Sequence, residues 1–362
     1  RTYFQQYAFG PEGRYQERDR VLIPGQEGPR THEIGHTISI NIAAPIRDPL
    51  RYYLYDRVFD TSRAGGGMSG YAHQGMSFNG YRGLSMDVPR GKVDFLELLQ
   101  HCVPGGPLHL RHYYRFLDMG YRLTALAGSD FPWCGGRIGN ARFYAWIDGA
   151  FSPDGWVDAT RAGHTFVTDG PMLLLTVNGA PPGTEVNVSS GERLTVKAEA
   201  LGHEDTVPLR NVTLIAHSQV VGQSENVQRD ADGNERIVLS LEHPASGGLW
   251  IAAASTSRTG QVAYTTPVYV RVDGGPTWNR ARLPAHLEET EEDLQEVEGL
   301  IAGRSVTPDV RDISLNHSRR EEPDWVLVDR SEGRIGRLGT ELQDRVDASR
   351  VALEELRREA GL

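Results

Sequence analysis

The sequence predicts an α/β protein in three successive segments. These are a partial, distorted β/α barrel over residues 1–170, an all-β sandwich over 171–275, and a charged helical tail over 276–362. Three observations predict it. Up to residue 170, apolar runs of strand length alternate with helix-length patterns, and polar residues of ligand type sit at the strand ends. From Gly170-Pro171 onward, about seven short β-rich runs follow one another with turn residues between them and no helical period. Beyond Gly275-Pro276, two long stretches combine acidic and basic residues with Leu and Val at helical spacing.

In chain order, residues 1–20 are polar and aromatic. Asp19 to Ile23 (DRVLI) is a short apolar run closed by Pro24-Gly25, which reads as a buried strand ending in a turn. Gly35 opens HTISINIAAP, whose Thr/Ile alternation up to Pro45 reads as a second strand. Residues 48–60 are mixed and aromatic, and 61–70, with three consecutive glycines, read as a loop. The piece from Gly70 to Gly75 carries His73. Lys92 to Val103 fits a strand passing into a short helix. His109 to Gly120 has helical spacing and a glycine stop. Leu123 to Ala127 is a strand that stops at Gly128-Ser129-Asp130. Strands are also expected at 142–148 and 164–168, with a helix at Pro153 to Arg161 between them, capped by Ser152. The sandwich strands are MLLLTVNG, RLTVKAEAL, NVTLIAHSQVV, ERIVLSLE, LWIAAAST and PVYVRVDG. The tail helices are expected at 283–303 and 337–360. They read as a solvated appendage, or as a Leu/Val stripe that meets a second copy in a homo-oligomer.

Composition sets limits. A net charge of -10 argues against a nucleic-acid or anionic-membrane partner. There is no run of 18 apolar residues to span a membrane. The two cysteines, Cys102 and Cys134, exclude a disulfide framework and a cysteine-based zinc site, leaving one bridge open. The chain opens at Arg1 in an aromatic, untail-like stretch. This suggests a processed product whose parent carries a further N-terminal portion, with export one reading of that processing.

The chemistry concentrates in Val21–Ile42, which holds Glu27, His32, Glu33 and His36. The letters His32-Glu33-Ile34-Gly35-His36 spell the zinc-peptidase pattern, which places two His one helical turn apart with the Glu as general base. That pattern needs a helix. Here Gly35 lies inside it, at a cost of about 1 kcal/mol in a helix interior, and β-branched residues follow. The other reading takes Glu27 and His36 as strand-end ligands, joined downstream by His73 and Asp130. Each lies beside glycine or at the end of an apolar run. Mixed imidazole and carboxylate ligands suit zinc, manganese or iron.

The runs IPGQE, GH, AHQG, GKVDFLELL, HYYRFLDMGYRLTALAGSDFP and ARFYAWIDGAFSPDGWVDATRAGHTFVTDGP occur in that order. In this series the chain resembles the CehA/McbA branch of the PHP-type metallohydrolases, the carbaryl-hydrolase-like group, over about residues 1–275. The resemblance implies a distorted PHP-type β/α barrel with two or three divalent metal ions. It also implies hydrolysis of a carbamate, carboxyl ester or phosphoester by a metal-activated water. By position, Glu27 resembles the bridging glutamate, His36 and His73 the histidine ligands, and Asp130 the aspartate of the last motif, which would also take the water's proton. Two departures stand out. No H-x-H pair exists anywhere in the chain, so a separate N-terminal fragment or subunit is the expected source of those ligands. The last motif, Gly128-Ser129-Asp130-Phe131-Pro132, lacks its second histidine.

Arg142, in a strand after the Asp130 loop, is the candidate for stabilising the oxyanion. His112 and Tyr113 are candidates for lining the pocket of a small-molecule ester or carbamate. His32 and Glu33 are loop residues beside the site, and His164 is structural. The alternatives to a metal-dependent hydrolase are a non-catalytic assembly or binding subunit with a degenerate barrel, favoured by the missing H-x-H, and the zinc peptidase.

Overall fold

The structure is a computed structural model that describes residues 9–73, 79–101, 108–131, 137–303 and 335–362. Its α-helices, among the described residues, are α1 (Tyr55–Ala64), α2 (Gly80–Asp87), α3 (Arg111–Asp118), α4 (Pro153–Arg161), α5 (Leu283–Ile301) and α6 (Gly339–Ala360). The fold is mixed α/β and dominated by sheets. The chain divides into two compact units: residues 1–96, 151–153 and 287–362 form the first, and 97–150 and 154–286 the second. The boundaries expected at 170 and 275 therefore do not delimit the compact units. The segment 304–334 and both cysteines lie outside the described residues.

The first unit begins with a surface hairpin, β1 (Tyr15–Glu17) and β2 (Arg20–Leu22). The run DRVLI was expected to be buried, but Leu22 is 70% exposed. Pro24 ends the run before it gains a second neighbour. An antiparallel ladder follows: β3 (Gly25–Thr31), β4 (Gly35–Ile40) and β5 (Met68–Tyr71). Phe95 and Leu96, the first residues of β6 (Phe95–Leu99), pair in parallel with Gly70 and Tyr71. Helix α1 occupies much of what reads as an irregular aromatic stretch and loop. It buries Tyr55, Val58 and Phe59, and the Phe59 and Tyr71 rings meet edge to face at 5.9 Å. The three glycines stop it, with the Gly65 amide donating to Thr61 O.

Residues 287–301 of α5 and all of α6 belong to this first unit, which corrects the solvated-appendage expectation. Leu287, Leu294, Val297, Leu342, Val346 and Leu353 are at most 1% exposed, and each fully buried side chain of this kind contributes about 1.5–3 kcal/mol. Polar contacts fix the docking. Ser349 Oγ donates to Met86 O at 2.6 Å, and Arg345 Nε to Asp56 Oδ1 at 2.9 Å. Ser85 Oγ donates to Asp293 Oδ2 at 2.6 Å. Arg350 on α6 pairs with Glu291 and Glu298 on α5. The stripe that reads as an oligomer contact is used within the chain.

The second unit is a β-sandwich with additions. One sheet runs β10 (Met172–Val177), β12 (Arg193–His203), β16 (Asn234–Pro244), β15 (Gln228–Arg229). The other runs β11 (Glu185–Val188), β19 (Val268–Val272), β17 (Leu249–Ser257), β18 (Val262–Thr265), β9 (Thr165–Thr168), β8 (Arg142–Ala145). To β17 it adds β13 (Leu209–Ala216), which carries β14 (Gln219–Ser224). Alternation along β12 turns Leu194, Val196, Ala198 and Ala200 into a core shared with Leu214, Ile251 and Val270. The strands expected to continue the barrel at 142–148 and 164–168 are sandwich strands instead. β9 pairs antiparallel with β18 on one side and β8 on the other, so its four buried residues are enclosed in this sheet. The end of β6 lies beside β7 (Thr124–Ala127), with Gly128 N donating to Leu99 O at 3.4 Å.

No helix among the described residues is long and apolar enough to cross a membrane.

Candidate metal centre

The site in the first unit starts from an irregularity in β3. Glu27 pairs with Ile38 and Arg30 with His36, so Gly28 and Pro29 together oppose the single residue Thr37. This is a β-bulge. In a regular strand, residues three apart point to opposite faces. The extra residue restores Arg30 to the face of Glu27, and His36, directly across from Arg30, shares it. His73 comes from the end of β5. Ala72 N still donates to His36 O at 3.0 Å. His73 itself then adopts a left-handed φ of 55°, which takes its side chain out of the strand alternation.

The result is a convergence of Glu27, His36 and His73. His36 Nδ1 lies 3.1 Å from Glu27 Oε1, His73 Nε2 lies 3.3 Å from His36 Nδ1, and His73 Nε2 lies 3.7 Å from Glu27 Oε1. Among the described residues this is the group of three His, Cys, Asp or Glu whose ligand atoms approach one another closely enough to hold an ion. Zinc ligands at 2.0–2.2 Å in tetrahedral array stand about 3.4 Å from one another. The three separations bracket that value. An oxygen and two ring nitrogens turned toward one point therefore fit a divalent transition metal.

The electrostatics favour the ligand forms. Burial pushes the His36 imidazole down, and the His73 ring adds to this. The hydrogen bond to Glu27 opposes but does not balance them, leaving His36 at about 3. Its imidazole is neutral at pH 7, with a lone pair to donate. Burial alone would raise Glu27, but hydrogen bonds to His36 and His73 and the charge of Arg30 outweigh it. They hold the carboxyl well below its ordinary range.

Residues 32–34 form a turn and Gly35–Ile40 a strand. The helix that the zinc-peptidase reading requires is not formed. The turn is gripped from several sides. Tyr55 Oη donates to Gly35 O at 2.6 Å, and Asn79 Nδ2 to His32 O at 2.5 Å. Buried Arg82 donates through Nη1 to Glu33 O at 3.2 Å and through Nε to Glu296 Oε2 on α5 at 2.7 Å. Gly35 has φ 106°, and a Cβ there would stand 2.4 Å from Gly80 Cα, so only glycine fits.

The remaining expected site residues lie in the second unit. Asp130, with a left-handed φ of 45°, accepts from Gln100 Nε2 at 3.2 Å. Arg142 donates to Tyr144 Oη at 3.2 Å and to Gly139 O at 3.2 Å, which ties its guanidinium to its own strand and turn. His112 is 6% exposed on α3. Tyr113 is fully buried and donates to Leu123 O at 2.9 Å, a packing position rather than a pocket wall.

Two residues escape a reading of the sequence. Arg30 stands at the centre only because of the bulge. Glu97 is a carboxylate, 4% exposed, inside the fully buried strand FLELL. A Cβ on Gly128 would meet its Oε1 at 2.4 Å. An acidic residue in an otherwise apolar strand was the available signal.

No protein-family model matches the chain, and no curated protein matches it. Among solved structures it is similar to the Clostridium thermocellum CbhA fibronectin(III)-like modules. That match has 13% identity and a TM-score of 0.19, covering 27% of this chain and 93% of that one. It is also similar to the crystal structure of an engineered protein, at 14% identity and a TM-score of 0.18, covering 28% of this chain and 20% of that one. Superpositions this loose carry no argument about fold or function.

Proposed function

We propose that Glu27, His36 and His73 hold a divalent transition metal, and that the chain is a metal-dependent hydrolase of a carbamate, carboxyl ester or phosphoester. The observation that carries this is the convergence of three ligand atoms from β3, β4 and the end of β5 at separations a bound ion would impose. Glu27 supplies the negative charge, and His36 supplies a neutral imidazole that burial keeps free of a second proton. The fixed turn at residues 32–35 holds His36 in register with Glu27, so the ligands are set before any ion arrives. A divalent ion bound there would supply Lewis acidity and lower the pKa of water to near neutral.

The finer reading, that the chain holds part of a PHP-type barrel, is supported by the ordered motifs quoted above. A second ion, with ligands beyond these three, is part of this proposal.

The test is elemental analysis of the purified chain, followed by assays on p-nitrophenyl carboxylates, phosphates and N-methylcarbamates. Hydrolysis is expected to vanish with a chelator, return with zinc or manganese, and be lost in Glu27→Gln. Protein that neither retains nor binds these metals would favour the non-catalytic binding subunit.

A further inference from the structure

We propose that the first unit carries a proton-binding node at Asp87, and that Arg345 of α6 sets the pH at which the node fills. The inference stands apart from the metal centre and concerns residues that the proposed hydrolysis does not use.

The node is a row of four charges. Asp87, at the end of α2, is fully buried. Its carboxylate accepts from Tyr71 Oη of β5 at 2.7 Å and from Arg90 Nη2. Arg90 also donates through Nη1 to Asp56 Oδ2 of α1 at 2.9 Å, so two carboxylates share one guanidinium. Arg345 donates from α6 to the other oxygen of Asp56 at 2.9 Å. Lys92, the next cation along the chain, pairs with Asp60 instead. Tyr55 of α1 stands beyond Tyr71, with the rings 6.2 Å apart.

Two acids and two arginines balance only while Arg345 is in place. Without it, two carboxylates would face one guanidinium inside the unit, and a buried charge left without a partner takes up a proton instead. Asp87 is the group placed to take it, because Asp56 touches both arginines. Burial would raise Asp56, but Arg345 and Arg90 outweigh burial and hold it below its ordinary value. Burial pushes the Asp87 carboxyl up and the charge of Asp56 adds to this. Arg90 and the Tyr71 hydrogen bond oppose them, leaving it at about 6 against an ordinary 3.8. A folded value above the unfolded one means that the folded unit gains a proton which the unfolded chain lacks. The contribution of Asp87 to stability therefore rises as pH falls through about 6, opposite to the usual carboxylate. The coupling is reciprocal: if Arg345 keeps the proton off Asp87, a proton on Asp87 loosens the hold on Arg345.

Hydrogen exchange of the full chain at several pH values, corrected for the intrinsic pH dependence of exchange, reads the opening of the first unit at β4 and β5. The quantity followed is the ratio of opening constants in wild type and Asp87→Asn, in which the other titrating groups cancel. It is expected to fall by about tenfold between about pH 8 and pH 5, beginning near pH 6. In an Arg345→Gln background the same fall is expected to begin at higher pH. Wild type against Arg345→Gln gives a reading that holds even if Asp87→Asn fails to fold: losing Arg345 should weaken the unit more at the alkaline end of this range than at the acid end. A ratio that stays flat across the range overturns the proton at Asp87. A fall of unchanged onset in the Arg345→Gln background, or an Arg345→Gln cost that is the same at both ends, overturns the part of α6.

Discussion

His73 Nε2 stands 3.3 Å from His36 Nδ1, although 37 residues separate them in sequence. The antiparallel pairing of β4 with β5 brings the two chain positions together, and the left-handed turn at His73 aims the second ring at the first. Two imidazoles and a carboxylate thereby stand within hydrogen-bonding reach of one another, the grouping on which the proposed metal centre rests.

The two glutamates of the stretch separate sharply. Glu27 points its carboxylate into the centre, whereas Glu33 lies in the turn and contributes its backbone carbonyl to Arg82. Glu27→Gln is expected to lower zinc affinity by about 100-fold or more, as loss of an anionic ligand should, and Glu33→Gln by less than about threefold. Metal retention after gel filtration in dilute chelator reads both. A dead Glu33→Gln protein beside a working Glu27→Gln protein would restore the peptidase reading.

Helix α5 braces the turn that leads into His36. Arg82 is 2% exposed and depends on Glu296, with Tyr81 Oη donating to the same carboxylate oxygen at 2.9 Å. Removing one partner of a buried pair costs about 3–5 kcal/mol. Glu296 is 41% exposed, so water can replace part of it, and we expect Glu296→Ala to cost about 1–2 kcal/mol. Hydrogen exchange is the readout: the Ile34 and Gly35 amides should exchange faster in Glu296→Ala. Unchanged protection there would show that the brace does not act on the turn.

The sandwich has its own pH response. Glu235 is fully enclosed. Burial would raise its carboxyl, but Arg229, Arg258 and the Leu209 amide outweigh burial and hold it below the ordinary value of 4.5. A folded value below the unfolded one gives stability that is fully present above about pH 4.5 and lost as pH falls through the folded value. Denaturant melts of the second unit, followed through Trp250, are expected to weaken below about pH 4.5. In Glu235→Gln this part of the decline should disappear. An identical decline in the variant would assign the acid sensitivity elsewhere.

Much of this was legible in the sequence, because the signals were local. Alternation in RLTVKAEAL and LWIAAAST marks sandwich strands, and Glu27 and His36 announce themselves beside Gly-rich turns. What was not legible depended on pairing. Residues 142–145 and 165–168 look like barrel strands from alternation alone, and only their register with β18 places them in the sandwich. The tail helices look solvated because Arg345 and Arg350 are charged, yet their partners Asp56, Glu291 and Glu298 offset that charge within the unit. The place of Arg30 beside Glu27 hangs on a one-residue bulge that no periodicity reveals.

The central claim is that Glu27, His36 and His73 hold one ion between them, and a cobalt titration followed by visible absorption tests it most directly. Cobalt(II) in a four-coordinate site with two imidazoles and a carboxylate gives intense d–d bands. The account expects those bands to saturate in the wild type, and to be lost in His73→Ala while the sandwich stays folded. Wild-type protein that shows no such bands, or a His73→Ala protein that shows them unchanged, would contradict it.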